Sequence, residues 1–391
     1  MPSVRDPAYL HRLNRGLVLD YLRQKGPAGR AGLARELGMS LPTVVRIIEE
    51  FEAERLVRGK GAGPSTGGRP SPLFVFSPEA HCVVSVDVGG SKMHGVMTDL
   101  AGEVLNDICF ASEGVEGRAA ADRLFDLIAG LIAAPGRADR KILGIGVGVP
   151  SVVTHPEGGI VWAPSLCWRD LPLKDLLLQR FHLPVVVEND VNLAALGELY
   201  NGAGRGARNL ILIAAGTGLG AGIVIDGALY RGSHQAAGEV GCMLPGTQFL
   251  KRRYDRFGAL ESLASAAGMA SQARRSLRRR GLPIPEDLDA HQVCEAARAG
   301  EAWARDLLAE TADYLSLTLI NLAMILDPEV IVFTGGLSLS ADLFLPILTE
   351  KLNAMTTFPP RLTLGALGGL ACAMGAVSLV LDVASGRAET L

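Results

Sequence analysis

Asp87 stands at the end of an apolar run that begins at Val83, and Gly89-Gly90-Ser91-Lys92 follows it. A carboxylate at a strand end can hold a hydrated Mg²⁺, and glycines beyond it let backbone amides approach a phosphate. A second unit of the same make runs from Leu210–Ala215 through Gly216-Thr217-Gly218-Leu219-Gly220 and returns as Ile223-Val224-Ile225. A tight hairpin explains either glycine loop alone; the pair asks for a phosphate-binding reading. A third loop, Thr334-Gly335-Gly336, closes another apolar run after the long helical stretch Ala302–Leu326.

Between the first two loops, Pro184–Val187 leads into Glu188-Asn189-Asp190. Asp190 suits a general base for moving a phosphoryl group onto a hydroxyl, and Asn189 can both donate to and accept from neighbouring hydroxyls. Asn and Asp at a strand end also make ordinary turns. Glu239, in Ala237-Gly238-Glu239-Val240-Gly241, and Glu261, in Ala259-Leu260-Glu261-Ser262, add two carboxylates of the kind that hold polyols.

These groups need a large scaffold. The chain has 391 residues, 48% hydrophobic and 20% charged, enough for more than one buried core. The six cysteines are scattered without a CxxC pair, which favours reduced thiols. The expectation is a cytoplasmic protein with no leader and no membrane span, because glycines interrupt the most apolar stretch, Leu210–Ile225. Charge is uneven: residues 1–80 carry 12 Lys/Arg against 8 Asp/Glu, and the rest carry 26 against 33. A basic head on an acidic body suits a nucleic-acid-binding module.

That head shows three short helical patterns: Leu13, Leu17 and Tyr21; Leu33 and Leu37; and Val44, Ile47, Ile48 and Phe51. Gly38-Met39-Ser40 is a turn of helix-turn-helix length, with Ser40 as N-cap and Pro42 in the first turn of the third helix. Thr43 and Arg46 lie off the apolar stripe and are free to enter a major groove, with guanine and phosphate both open as partners for Arg46. The Gly-rich stretch ending in Gly67-Gly68-Arg69-Pro70 reads as a wing that puts Arg69 in a minor groove, and also as a linker.

Taken together, Asn14-Arg15, Leu33–Ser40, Thr43-Val44 and Gly67–Pro70 resemble the DNA-binding head of the ROK family of repressors, open reading frames and sugar kinases. The glycine loops and the Ala237–Gly241 segment resemble its actin-like, sugar-kinase body. The resemblance implies an α/β fold: an N-terminal winged helix-turn-helix with wing or linker over 1–80, and a two-lobed actin-like ATPase body. The first lobe spans 81–196, with a C-terminal helix of about 371–391 packing back on it, and the second spans 197–370. It implies sugar contacts from Glu239 and Glu261, beside those read above for Asn189 and Asp190, and, only for a kinase, adenosine contacts from Gly335 and Gly336.

Departures from the family pattern are specific. Gly29 replaces a capping serine and Arg55 replaces a glycine; Ser151 and Ser165 replace a glycine and an asparagine in the body. Cys242, Arg252, Tyr254 and Ala259 stand where the family's zinc ligands would be, so no zinc is expected; the lost histidine at 242 is also a sugar contact in the family. The reading is a sugar-responsive repressor of carbohydrate genes. It binds double-stranded operator DNA and a monosaccharide or derivative, as a homodimer or homotetramer, with no required cofactor. The alternative is an ATP- and Mg²⁺-dependent sugar kinase with a regulatory head; there Asp190 is catalytic, and Asp87, Gly89, Gly90, Ser91, Lys92, Gly216, Thr217 and Gly218 hold phosphate.

Overall fold

The computed structural model describes residues 6–62, 72–90, 92–135, 139–251, 253–254 and 258–386. The chain forms two compact units, one made of 1–149, 153–188 and 376–391, the other of 150–152 and 189–375.

The head belongs to the first unit. Helix α1 (Pro7–Gln24) starts on Asp6, whose side chain accepts from the Ala8 amide. It leads through β1 (Ala28–Gly29) to α2 (Arg30–Glu36) and α3 (Leu41–Ala53), and then to the hairpin β2 (Val57–Ala62) and β3 (Pro72–Phe76). The strands pair in the order β1-β3-β2, the arrangement of a winged helix-turn-helix. Leu33, Val44, Ile47, Ile48 and Phe51 are fully buried, as the spacing requires.

The first helix turns a different face inward. The core receives Val18, Leu19 and Leu22, while Leu13 and Leu17 are each 38% exposed. Two adjacent faces of α1 are apolar, so periodicity does not choose between them. Packing chooses the one that also buries Arg15, whose role emerges below.

The body of the first unit is a five-stranded sheet of order β11-β7-β4-β5-β6. Its strands are β4 (His81–Val88), β5 (Lys92–Asp99), β6 (Val104–Ala111), β7 (Lys141–Val149) and β11 (Val185–Asn189), with α4 (Gly117–Ala133) between β6 and β7. The small sheet β8 (Val152–Val153), β9 (Ile160–Ala163) and β10 (Trp168–Leu171) and helix α5 (Leu173–Phe181) come before β11. Strand β4 is central and buried nearly throughout, which is why it reads as a continuous apolar run. It pairs in parallel with β7 and antiparallel with β5.

The second unit has its own sheet, of order β14-β13-β12-β15-β16. It comprises α6 (Asp190–Asn201), β12 (Leu210–Ala215), β13 (Leu219–Ile225), β14 (Ala228–Leu229), α7 (Glu261–Ala264), α8 (Ala266–Arg279), α9 (Ala290–Arg298), α10 (Ala302–Leu326), β15 (Val330–Thr334), α11 (Ala341–Met355) and β16 (Arg361–Leu364). Buried Glu198 accepts from the amides of Ala203, Ala366 and Leu367, tying the end of α6 to the segment after β16. The last helix, α12 (Ala371–Ser385), starts in the second unit and finishes in the first. There it lies so close to β7 that a Cβ on Gly146 would meet the Ala376 Cβ at 2.5 Å. The apolar segment Gly368–Ser385 is long enough to cross a membrane, but 67% of it is buried in protein.

Candidate effector site and nucleic-acid interface

Strand β13 is the common support of the second unit's polar groups. At its start, the Leu219 amide donates to Glu261 Oε2 at 2.9 Å. Along its length, the Ala221 amide donates to the Gly238 carbonyl at 2.8 Å, which seats the segment carrying Glu239. Gly238 has φ +91°, and a Cβ there would fall 1.9 Å from the Ala221 carbonyl oxygen, so only glycine fits. Over the same strand lies the first turn of α6, with a Cβ on Gly220 meeting Val191 at 3.2 Å. Asn189, Asp190, Glu239 and Glu261 are thus arranged around one strand.

Their electrostatics are distinctive. Burial raises the Glu239 carboxyl above its ordinary range, and the nearby Glu261 raises it further. Burial also raises Glu261, partly offset by the amide of Leu219. Glu239 stays open to water although protein surrounds it on most sides, the situation of a group in a concavity. Burial, followed by the charges of the two glutamates, raises the Cys242 thiol. Two like charges held close in partial burial are costly unless they have donors to bind, and sugar hydroxyls are such donors.

Asn189 is the N-cap of α6: its Oδ1 accepts from the Asn192 amide at 3.0 Å, and its Nδ2 donates to the Ser151 carbonyl at 3.3 Å. Asp190 Oδ1 accepts from the Val191 amide at 2.9 Å. Ser151, glycine in the family pattern, therefore positions the amide through its backbone. Gln235 escaped the sequence reading. Its amide oxygen is buried without a partner in the loop leading to Glu239, and its φ is +59°. Its place just before Ala236-Ala237-Gly238-Glu239 was the available signal.

The glycine loops keep their hairpin form. In the first, the Gly89 amide donates to the Lys92 carbonyl and Ser112 Oγ donates to the Gly89 carbonyl, both at 2.8 Å. Gly90 lies against Ser165, and Ser91 lies outside the described residues. Burial raises the Asp87 carboxyl, against the pull of His94 and Lys92. In the second, the Gly216 amide donates to the Gly218 carbonyl, leaving Thr217 exposed at the tip. Gly218 abuts Glu261, and Gly335 and Gly336 abut Ala215 and Gly216, so these two loops are contiguous.

At the zinc-ligand positions, Cys242 is exposed, Tyr254 half-buried and Ala259 fully buried; Arg252 lies outside the described residues. Among the described residues no group of three or more His, Cys, Asp or Glu side chains is placed to hold a metal ion. Cys242, Tyr254 and Ala259 offer between them a single soft ligand, where tetrahedral zinc takes four.

In the head, Ser40 Oγ accepts from the Thr43 amide at 3.3 Å and meets Thr43 Oγ1 at 2.7 Å. Arg46 is exposed on α3 and leans on His11 Nδ1 at 2.8 Å. Arg69 lies outside the described residues. Arg15 is buried: it donates to Glu50 at 2.6 Å, to both oxygens of Glu54 and to the Ser385 carbonyl at 3.1 Å, and it stacks on Phe51. The head is thereby fastened to the last turn of α12.

Residues 83–383 match the ROK family. The chain belongs to the ROK family. Among its relatives, the xylose repressor of Caldicellulosiruptor bescii is 28% identical over 385 residues, covering 95% of this chain and 96% of that protein. The structure of a ROK transcriptional regulator, a homologue of the E. coli MLC protein, superposes with TM-score 0.83 over 97% of this chain and 98% of that one, at 23% identity. A ROK glucokinase from Streptomyces griseus, solved with glucose and AMPPNP, gives 0.66 at 30% identity; it covers 76% of this chain and 98% of its own. Regulators thus match head and body, whereas the kinase matches a body-sized share.

Proposed function

We propose that this ROK protein is a sugar-responsive transcriptional repressor acting on carbohydrate genes in the cytoplasm. The carrying observation is that one chain joins a capped helix-turn-helix to a body holding two electrostatically strained glutamates, Glu239 and Glu261. Sugar hydroxyls relieve that strain by donating to both carboxylates, with Asn189, Asp190 and Gln235 as further contacts. Thr43, Arg46 and Arg69 face operator DNA behind the Ser40 cap, and two heads of a homodimer read a pseudo-palindrome, with a homotetramer as the next assembly. No zinc takes part. Ligand changes DNA affinity only by favouring one arrangement of the body over another. Helix α12, shared by both units and held at its end by Arg15, is the element suited to carry that change to the head.

Thermal-shift screening across monosaccharides and their derivatives tests the sugar site, with xylose first because of the whole-length relatives' name. A saturable rise in Tm that vanishes in Glu239→Gln is expected; no response to any sugar would sink the reading. DNase footprinting upstream of adjacent sugar genes tests the head.

A second reading has its own support in the retained hairpin loops at Gly89-Gly90 and Gly216–Gly218. In it, Mg²⁺-ATP is bound and Asp190 takes a proton from the sugar hydroxyl as phosphate is transferred. Coupled ADP release lost in Asp190→Ala would establish it. Sugar binding without turnover leaves the repressor alone.

A further inference from the structure

A cavity of about 450 Å³ lies within the first unit where head and body join, far from the sugar-binding groups in sequence. Its walls come from the turn after α3 (Glu54, Arg55), the start of β4 (His81), the start of β7 (Lys141, Leu143) and the end of α12 (Ala384). The volume falls in the range of small-molecule sites. Its frame is fixed: the Ser77 amide donates to the Leu56 carbonyl, and Arg15 holds the carbonyl of Ser385 beside Ala384.

The lining is cationic. His81 and Lys141 are directly opposite on the parallel strands β4 and β7. Arg55 holds a left-handed backbone, φ +62°, which costs an L-residue and leaves glycine unstrained. Arg15 already engages both oxygens of Glu54, so the one carboxylate in the wall is neutralised. Among the described residues neither Arg55 nor Lys141 forms an ion pair. His81 is only 4% exposed, and its Nδ1 is buried without a hydrogen-bond partner. Burial, Lys141 and Arg55 all hold its imidazole below its ordinary range. Two cations without carboxylate partners on the wall of one cavity are the lining an oxyanion would complete.

We infer that this cavity is a second regulatory site, taking a small metabolite that bears a phosphate or carboxylate group. Arg55 grips the anion from the head and Lys141 grips it from the body sheet, with His81 in the wall between the two elements. Occupancy cross-links the head to the body and holds its orientation, so DNA affinity responds to an anion as well as to a sugar.

Isothermal titration and thermal shift of the full chain with inorganic phosphate, and separately with citrate, against sodium chloride at matched ionic strength, test this. Saturable binding of either anion is expected, with affinity at least tenfold weaker in Lys141→Glu and in Arg55→Gly, which removes backbone strain and keeps the fold. Response to phosphate alone identifies a phosphate head group; response to citrate alone identifies a polycarboxylate. Both variants should keep the sugar-induced shift, so the outcome is independent of the sugar reading. No saturable binding, or equal binding in wild type and both variants, would overturn the site.

Discussion

Two pairs of glutamates in this chain sit in opposite electrostatic surroundings. Glu50 and Glu54 converge on one buried guanidinium, Arg15, which also reaches the last carbonyls of α12. Burial alone would raise Glu50, but the hydrogen bonds from Arg15 and the charge of His11 bring it below its ordinary range. Burial raises both Glu239 and Glu261, the charge of Glu261 raises Glu239 further, and among the described residues no cation offsets either. The first pair is matched and fastens the head. The second is unmatched, the pattern that makes it a candidate ligand site.

The strongest blow to the comparison is Arg15→Ala. It leaves two carboxylates and two helix-terminal carbonyls without their donor, and about 2–3 kcal/mol of stability should go. Chemical denaturation measures the loss. DNA binding by the refolded variant should lose its dependence on sugar, because the tie to α12 is gone; an unchanged sugar response would mean that the signal travels elsewhere.

Glu239→Gln should act in the reverse sense on stability. It removes the repulsion with Glu261, so the ligand-free protein melts higher, while sugar affinity falls by about 1.5–3 kcal/mol, the worth of hydrogen bonds to a charge. Lower stability together with intact sugar binding would show Glu239 to be structural.

Acidification should pull the two regions apart. Glu50, depressed in the folded state, contributes stability that is present above the ordinary 4.5 and lost as pH falls through its lower folded value. Glu239 and Glu261, elevated in the folded state, cost stability above their raised values, and that cost is relieved as pH drops from 7 toward 4.5. Hydrogen exchange resolved by segment should therefore show protection around β13 rising first, with the head weakening only below that range. Parallel behaviour of both segments would contradict the opposed environments.

The smallest effect is at α2, whose N-cap, Gly29, offers no side-chain acceptor. Gly29→Ser should add a few tenths of a kcal/mol to head stability, read as a small rise in Tm.

Much of this architecture was legible in the residues. The spacing of Val44, Ile47, Ile48 and Phe51, the Ser40 cap and the glycine hairpins each encode local structure, because periodicity, capping and turn chemistry act over a few residues. Asp190 could be named because it ends an apolar strand run, and Glu239 and Glu261 because their segments resemble a family signature. The inward face of α1 could not be read: Leu13-Leu17 and Val18-Leu22 are both apolar, and only the partner surface decides between them. Gln235 stayed hidden for a similar reason, since an unpartnered amide oxygen is a property of surroundings, not of residue type.

The sequence by itself determined the kinds of element and the family, and nominated the residues to test for sugar and DNA binding, since these depend on local patterns. Tertiary structure alone decided which charges are matched. Arg15 meets Ser385 across most of the chain's length, and His81 meets Lys141 across two strands, pairings that no local spacing encodes. Whether a glutamate fastens the fold or waits for a ligand depends on the partner that long-range packing brings to it.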